Sequence, residues 1–330
     1  MDQIGFIDWD AAVAAARALV PAGPELPTTE TAEIVASLKA AAAQAPSHVR
    51  EVTGLEAPAA AKTLVVDRRT WVQACARSMA VMLQAASGSN GAAGPLDSVM
   101  GRARGAQAGA VLAAVSTRVL GQFDPFASDP GRGEPSVLLL IAPNIVAVER
   151  DLGVHPSDFR LWVCLHEETH RFQFGEAPWL RGHLLGLLAE LLNDETGFTW
   201  RGSGGDSILD RVLGPAQRAS FDRVTAVMSL LEGYADVMMD RVGTSVIPTL
   251  PVIRRAFERR RDRGGWTAVL GRLLGNDIKL AQYREGAAFC RAVIDRADVA
   301  TLNITWSGPD AVPTLAEIRD PELWLRRVPG

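Results

Sequence analysis

Apolar residues recur every three to four positions along most of the chain, which is the period of an amphipathic α-helix. Two shorter runs, 61–66 and 137–141, are rich in β-branched and aliphatic residues and predict strands. Residues 46–58 begin and end with proline and predict a loop. The pattern therefore predicts a mainly α-helical chain with a small β-sheet, an α+β fold. The predicted helices span 8–20, 28–43, 69–86, 101–120, 157–174, 179–192, 216–242, 251–263 and 276–296.

The composition is that of an ordinary globular protein, with 48% hydrophobic and 22% charged residues in a chain of 330. The net charge of -4 is mild, so we expect no nucleic-acid partner. The longest apolar runs, such as 184–188, are too short to cross a bilayer, and the acidic start does not have the pattern of a signal peptide. The three cysteines are scattered. These features predict a cytoplasmic protein with no membrane association and no disulfide framework.

The segment 161–172 contains the motif His166-Glu167-x-x-His170. Residues four apart share one face of a helix, so both imidazoles can reach one metal ion, with Glu167 beside them. The residues before the motif are apolar nearly all round, which indicates a buried helix. Buried polar side chains need partners, and a metal ion would satisfy all three. The motif predicts zinc as the cofactor; two hydrogen-bonded core histidines are the alternative interpretation.

Catalytic zinc needs a third protein ligand. Glu176, six residues after His170, has the metzincin spacing, but that pattern requires glycine where this chain has Gln173. The segment from Glu232 to Asp236 lies in a second apolar helix and resembles the gluzincin arrangement, with HExxH on one helix and ExxxD on another. That resemblance implies that Glu232 is the third ligand and that Asp236 accepts a hydrogen bond from a ligating histidine.

Hydrolysis would also require a general base and a hydrogen-bond donor for the oxyanion. Glu167 would accept a proton from a zinc-bound water and deliver it to the leaving amine. Tyr283 and His183 are both candidates for the oxyanion donor, and Tyr283 is preferred. The strand 137–141 precedes the motif helix and would be the edge strand that pairs with an extended peptide.

Further segments point to one family when they are taken together with the motif helix: Ile7-Asp8-Trp9-Asp10, Arg50-Glu51-Val52-Thr53-Gly54-Leu55, Val65-Val66-Asp67-Arg68, Glu232-Gly233-Tyr234-Ala235-Asp236, Gln282-Tyr283 and Leu315-Ala316-Glu317-Ile318. With these segments the chain resembles an actinobacterial family of zincin-like proteins, called metallopeptidase-like or deazaflavin-cofactor-biosynthesis-associated. The resemblance covers nearly the whole chain and implies a zincin fold with a metal site. It carries no substrate over.

The sequence thus predicts a zinc-dependent metallohydrolase, a peptidase or amide hydrolase, with a peptide or protein as its substrate. The alternative is a non-catalytic zincin-like protein whose metal is structural and which serves as a scaffold or partner-binding module. A structural site has no use for Glu167 and usually fills all four zinc positions with protein ligands, which favours the enzyme. We expect one domain over 1–330, within which 1–130 could form a helical N-terminal subdomain and 131–330 the catalytic part.

Overall fold

The computed structural model describes residues 7–56, 58–59, 61–87, 95–127, 136–192, 215–262 and 278–328, with the backbone alone for 87, 95–97, 215–216, 258–262 and 278–284. Helices dominate this part of the chain and three strands form a small sheet, which confirms the predicted α+β class. None of the described helices combines the length and the apolar character that a bilayer crossing requires.

The strands are β1 (Lys62–Val66), β2 (Gly121–Asp124) and β3 (Val137–Ile141). The α-helices are α1 (Trp9–Leu19), α2 (Thr28–Thr53), α3 (Arg68–Ser87), α4 (Pro95–Ser116), α5 (Ala142–Leu152), α6 (Pro156–Glu176), α7 (Trp179–Leu192), α8 (Pro215–Val242), α9 (Leu250–Asp262), α10 (Ile278–Arg296), α11 (Val299–Asn303), α12 (Leu315–Arg319) and α13 (Pro321–Arg327), with 3₁₀ turns at Ile304–Trp306 and Pro309–Ala311.

The three strands lie in the order β1-β3-β2, so β3 is central. β1 runs parallel to β3, and β2 runs antiparallel to it with Gly121 opposite Leu140. The prediction that 137–141 is an edge strand is therefore wrong. A strand covered on both faces consists almost entirely of apolar residues, and residues 138–141 are all buried.

The sheet lies between two buried clusters of apolar side chains. Leu138 and Leu140 belong to the larger cluster, to which α2, α6, α8 and α10 contribute, whereas Leu139 and Ile141 belong to the smaller one, built on α1, α3 and α4. This alternation follows from the two-residue period of a strand. The larger cluster contains residues from Ile34 to Val328, so the C-terminal helices pack on the same core as the motif helix α6.

Helix α2 continues past its predicted end at residue 43 and includes Pro46, which the sequence pattern placed in a loop. A proline inside a helix removes one backbone hydrogen bond and costs roughly 3 kcal/mol. α2 tolerates this cost because Ala45 and Val49 are buried where α2 packs against α6. Gly54, with φ of 69°, then ends the helix in the left-handed conformation.

Helices α8 and α10 cross with glycine on both sides of the contact. A Cβ on Gly233 would lie 2.3 Å from the carbonyl carbon of Gly286, and one on Gly286 would lie 2.0 Å from the carbonyl oxygen of Ser229. Because neither glycine has a side chain, the two backbones can approach this closely. The contact fixes α8 at the residue that directly follows Glu232.

Candidate metal centre

Helix α6 presents His166 and His170 on one face, as their four-residue spacing requires. Their Nε2 atoms lie 3.1 Å apart and their ring planes are nearly perpendicular, at 87°. Phe159, Leu165 and Phe172 of the same helix are completely buried in the core. The helix is therefore held firmly, while the two imidazoles remain partly exposed to solvent.

Glu232 on α8 completes a cluster of three ligand-type side chains. Its Oε2 lies 3.5 Å from His166 Nε2, and its Oε1 lies 3.8 Å from His170 Nε2. Zinc holds nitrogen and oxygen ligands at about 2.0–2.1 Å in a tetrahedron, which places any two ligand atoms about 3.3 Å apart. The separations in the cluster bracket that value. The structure thus brings the three predicted ligands together, and they form the only such group among the residues it describes.

The contacts of the two imidazoles indicate that each Nδ1 atom carries a proton, which leaves the Nε2 atoms to face a cation. Gln173 Nε2 donates to the carbonyl oxygen of Leu231 at 2.9 Å, so Gln173 Oε1 faces His170 Nδ1, 2.8 Å away. An amide oxygen only accepts, and therefore His170 Nδ1 carries the proton. His166 Nδ1 contacts the sulfur of Met239, also an acceptor, at 3.2 Å. The two Nε2 atoms, 3.1 Å apart, are thus the ring atoms that can share a cation, either a proton or a metal ion.

Charge at the cluster also favours a cation. Burial alone would lower the pKa of His166, but the hydrogen bond and the charge of Glu232 outweigh it and raise this pKa to about 9. Burial would conversely raise the pKa of Glu232, yet the two histidines lower it to about 2. Without a metal the site therefore holds a proton, for which an incoming metal ion must compete.

Asp236 is placed differently from the gluzincin expectation. Its carboxylate accepts hydrogen bonds from the guanidinium of Arg254 on α9 and, at 3.2 Å, from that of Arg291 on α10. A charged guanidinium is a stronger partner for a carboxylate than a neutral imidazole N–H. The Nδ1 atoms of the two histidines face Gln173 and Met239 instead. The predicted hydrogen bond between Asp236 and a ligating histidine is therefore wrong.

Glu167 lies directly against strand β2. The backbone N–H of Phe123 donates to Glu167 Oε2 at 2.9 Å, and a Cβ on Gly121 would lie only 2.5 Å from Glu167 Cγ. Burial raises the pKa of Glu167 above the ordinary carboxyl value, while the two histidines and the Phe123 hydrogen bond oppose this rise. The carboxylate is thus held in a defined position beside the ligand cluster, as a general base must be.

Among the strands that the structure describes, β2 is the edge strand that contacts α6, and sequence reasoning missed it. Leu120 accepts a hydrogen bond from Ile141, so the alternating antiparallel pattern directs the backbone groups of Gln122 and Asp124 toward β3. Those of Gly121 and Phe123 point away from the sheet. A four-residue strand shows too little alternation to be recognised in sequence, and its partner strand lies more than a dozen residues away.

The two predicted oxyanion donors, Tyr283 and His183, lie on helices α10 and α7. The backbone of Tyr283 belongs to α10, but its side chain lies outside the described residues. His183 on α7 packs edge-on against Trp179, and burial together with the charge of Arg223 lowers its pKa. Glu176, the alternative third ligand, is exposed at the end of α6 and takes no part in the cluster.

Known proteins resemble this chain over nearly its whole length. A sequence profile of the family described as zincin-like metallopeptidase matches residues 7–325. No curated protein matches the chain. A crystal structure described as a candidate hydrolase with a novel fold, from Chloroflexus aurantiacus, superimposes with a TM-score of 0.74 at 30% identity, and the match covers 98% of each chain. The chain therefore belongs to the family of zincin-like metallopeptidases.

Proposed function

We propose that this protein is a zinc-dependent peptidase in which Glu167 is the general base. The observation that carries the proposal is the convergence of His166, His170 and Glu232 at separations of 3.1–3.8 Å, with Glu167 fixed beside them. Membership of the zincin-like metallopeptidase family supports a metallohydrolase, and so does the structural likeness to a candidate hydrolase.

The three ligands and Glu167 have separate roles in this proposal. His166, His170 and Glu232 would hold a zinc ion, which would supply a Lewis acid for a carbonyl group and for a water molecule. Glu167 Oε2 is anchored by the Phe123 N–H, so Oε1 is the atom that takes a proton from the attacking water and passes it to the leaving nitrogen. Burial of this carboxyl favours the protonated form that the second transfer needs.

An extended peptide is the substrate class that strand β2 supports. The backbone groups of Gly121 and Phe123 point away from β3, and Phe123 N–H already donates to Glu167. Within the described part of the chain, the other backbone groups of Gly121 and Phe123 on this side form no backbone hydrogen bond. They can therefore pair with an added strand, which recognises a backbone without reading its side chains. Since Glu167 contacts the same strand, a peptide paired there would lie beside the general base.

A zincin-like scaffold with a structural metal is the competing possibility. Structural zinc usually has four protein ligands. The cluster in the described part of the chain has three, and the buried Glu167 next to it accepts a hydrogen bond from Phe123 of β2. A cluster of three partly exposed ligands with a carboxylate beside it favours chemistry.

The experiment that tests the proposal is hydrolysis of a peptide library by the zinc-loaded protein, with Glu167→Gln as the matched variant. Glutamine keeps the size of the side chain but cannot take a proton. We expect cleavage by the wild type, a loss of roughly 10²–10⁴-fold in the variant, and an unchanged zinc content. Cleavage by Glu167→Gln at the wild-type rate would contradict the proposed base. A zinc-loaded wild type that cleaves no peptide would favour the scaffold.

A further inference from the structure

We propose that Gln173 is a positioning residue that ties the ligand His170 to the helix that carries the third ligand. This inference rests on the metal site proposed above and adds to it a residue that touches neither the metal nor the substrate. In the sequence, Gln173 counted only as a departure from the metzincin pattern. In the structure, its amide bridges α6 and α8.

The bridge has two hydrogen bonds of ordinary length. Gln173 Oε1 lies 2.8 Å from His170 Nδ1, and Gln173 Nε2 donates to the carbonyl oxygen of Leu231 at 2.9 Å. Leu231 directly precedes Glu232 in α8. A single planar amide therefore sets the rotation of the His170 ring and, at the same time, the distance between the backbones that carry His170 and Glu232.

Both halves of the amide are needed for this role. The N–H group can only donate, so the Leu231 carbonyl fixes which end of the amide faces α8. The oxygen is left to accept from His170 Nδ1, which keeps the lone pair on Nε2, the atom that faces the ligand cluster. Gln173 is completely buried, so water does not compete for either hydrogen bond. Such outer hydrogen bonds typically change metal affinity by about 10–100-fold.

Met239 provides an internal comparison at the other histidine. Its sulfur lies 3.2 Å from His166 Nδ1 and is buried, but a thioether is a weak acceptor and has no donor with which to bridge to a second helix. Replacement of Met239 by leucine keeps the volume and removes the acceptor. Its effect on metal binding should therefore be smaller than that of the corresponding change at Gln173.

The test is the zinc dissociation constant of the full chain, measured in competition with a chromophoric chelator. The variants are Gln173→Leu, which loses both hydrogen bonds, Gln173→Glu, which keeps an acceptor for His170 but loses the donor to Leu231, and Met239→Leu. We expect Gln173→Leu to weaken zinc binding about 10–100-fold, Gln173→Glu to recover part of that loss, and Met239→Leu to change affinity least.

The unfolding temperatures of the zinc-free and zinc-loaded forms separate a positioning role from a merely structural one. A structural role would lower both temperatures equally and leave the zinc affinity unchanged, which would overturn the proposal. If Gln173→Leu does not fold, the zinc affinity of Gln173→Glu tests the proposal instead. A zinc affinity equal to that of the wild type in Gln173→Glu would then also overturn the positioning role of Gln173. A wild type that binds no zinc would overturn the metal site itself, whereas a failure confined to the variants would overturn only the role of Gln173.

Discussion

Gly121 and Glu167 touch where strand β2 passes helix α6. A Cβ on Gly121 would lie 2.5 Å from Glu167 Cγ and 2.8 Å from its Oε1, whereas real Cβ atoms essentially never approach so closely. Position 121 therefore has no room for a side chain while Glu167 keeps its hydrogen bond to Phe123 N–H. At the scale of single residues, the absence of a side chain at 121 is what allows the sheet edge to hold the base.

We expect Gly121→Ala to destabilise the protein by about 1–3 kcal/mol, because the added methyl group overpacks the contact with Glu167. The same substitution in a Glu167→Ala background should cost much less, since the atoms that clash are gone. Chemical denaturation of the four proteins of this double-mutant cycle gives the coupling energy directly.

Gly182→Ala on α7 is the matched control for this cycle, because a Cβ at position 182 meets nothing within 4 Å. Alanine there should stabilise the helix by up to about 1 kcal/mol in both backgrounds. An additive cycle at Gly121 and Glu167, with no coupling energy, would show that the contact is not what requires glycine.

Some residues of the site could be predicted from sequence and others could not. His166, Glu167 and His170 follow from spacing within one helix, and Glu232 from its motif on a second apolar helix. Gln173, Met239 and Gly121 act through contacts between separate elements, which no local pattern encodes. Asp236 was assigned wrongly for the same reason, since Arg254 and Arg291, which bind it, come from two other helices.

At the scale of elements, single glycines set how closely helices approach. Gly286 of α10 lies against Ser229 of α8, and Gly109 of α4 lies against Ala12 of α1, where a Cβ would be 2.0 Å and 2.3 Å from the respective carbonyl oxygens. The first crossing supports the helix of Glu232. The second belongs to the helices of the smaller core, which do not carry the ligands.

We therefore expect Gly286→Ala and Gly109→Ala to differ in their effect on zinc binding. Both substitutions should lower stability by about 1–3 kcal/mol through overpacking. Only Gly286→Ala should also weaken zinc binding, because the added methyl group pushes α8, and with it the ligand Glu232, away from α10. Denaturation and zinc titration of both variants check this. Equal zinc affinities would show that the α8–α10 contact does not position the ligand.

The capping box of α12 predicts a dependence of stability on pH. Glu317 accepts a hydrogen bond from the backbone N–H of Thr314 at 2.8 Å and another from Arg327 Nε at 2.6 Å. Burial would raise the pKa of Glu317, but the hydrogen bonds from Arg327 and Thr314 hold it below the ordinary value of 4.5. Because the folded pKa is the lower one, this stabilisation is complete above pH 4.5 and is lost as the pH falls through the folded pKa.

Glu317→Gln should accordingly be less stable than the wild type near neutral pH, by about 1 kcal/mol or less, and its unfolding temperature should be lower. The gap should close as the pH falls below 4.5. Thermal unfolding at a series of pH values measures it. A gap that stays constant into the acid range would mean that the carboxylate charge contributes nothing at α12.

The sequence pattern located most of the described helices and two of the three described strands, since long periodic segments carry a strong signal. It failed where tertiary contacts decide. Pro46 favours the end of a helix, but burial of α2 against α6 outweighs that preference. β2 exists because β3 pairs with it, and the position of β3 at the centre of the sheet depends on both neighbours.

At the scale of the whole molecule, the metal site joins two helices of one core. α6 supplies two ligands and α8 the third, and both contribute to the larger cluster that extends from Ile34 to Val328. A ligand that binds only the folded chain stabilises it by about 2.7 kcal/mol at a hundred times its dissociation constant. The zinc site should therefore raise the stability of the entire fold.

We expect a chelator to lower the unfolding temperature of the zinc-loaded wild type and to leave that of Glu232→Ala unchanged. Differential scanning calorimetry with and without the chelator measures both. A chelator effect of equal size in the two proteins would place the stabilising metal elsewhere in the chain.

The most direct test of the metal centre is the zinc content per chain, measured by elemental analysis on protein purified without a chelator or a metal-affinity column. We expect about one zinc per chain in the wild type and in Glu176→Ala, the control for the alternative third ligand, and none in His166→Ala or Glu232→Ala. Zinc retained by Glu232→Ala, or a wild type without zinc after supplementation, would contradict the metal centre described above.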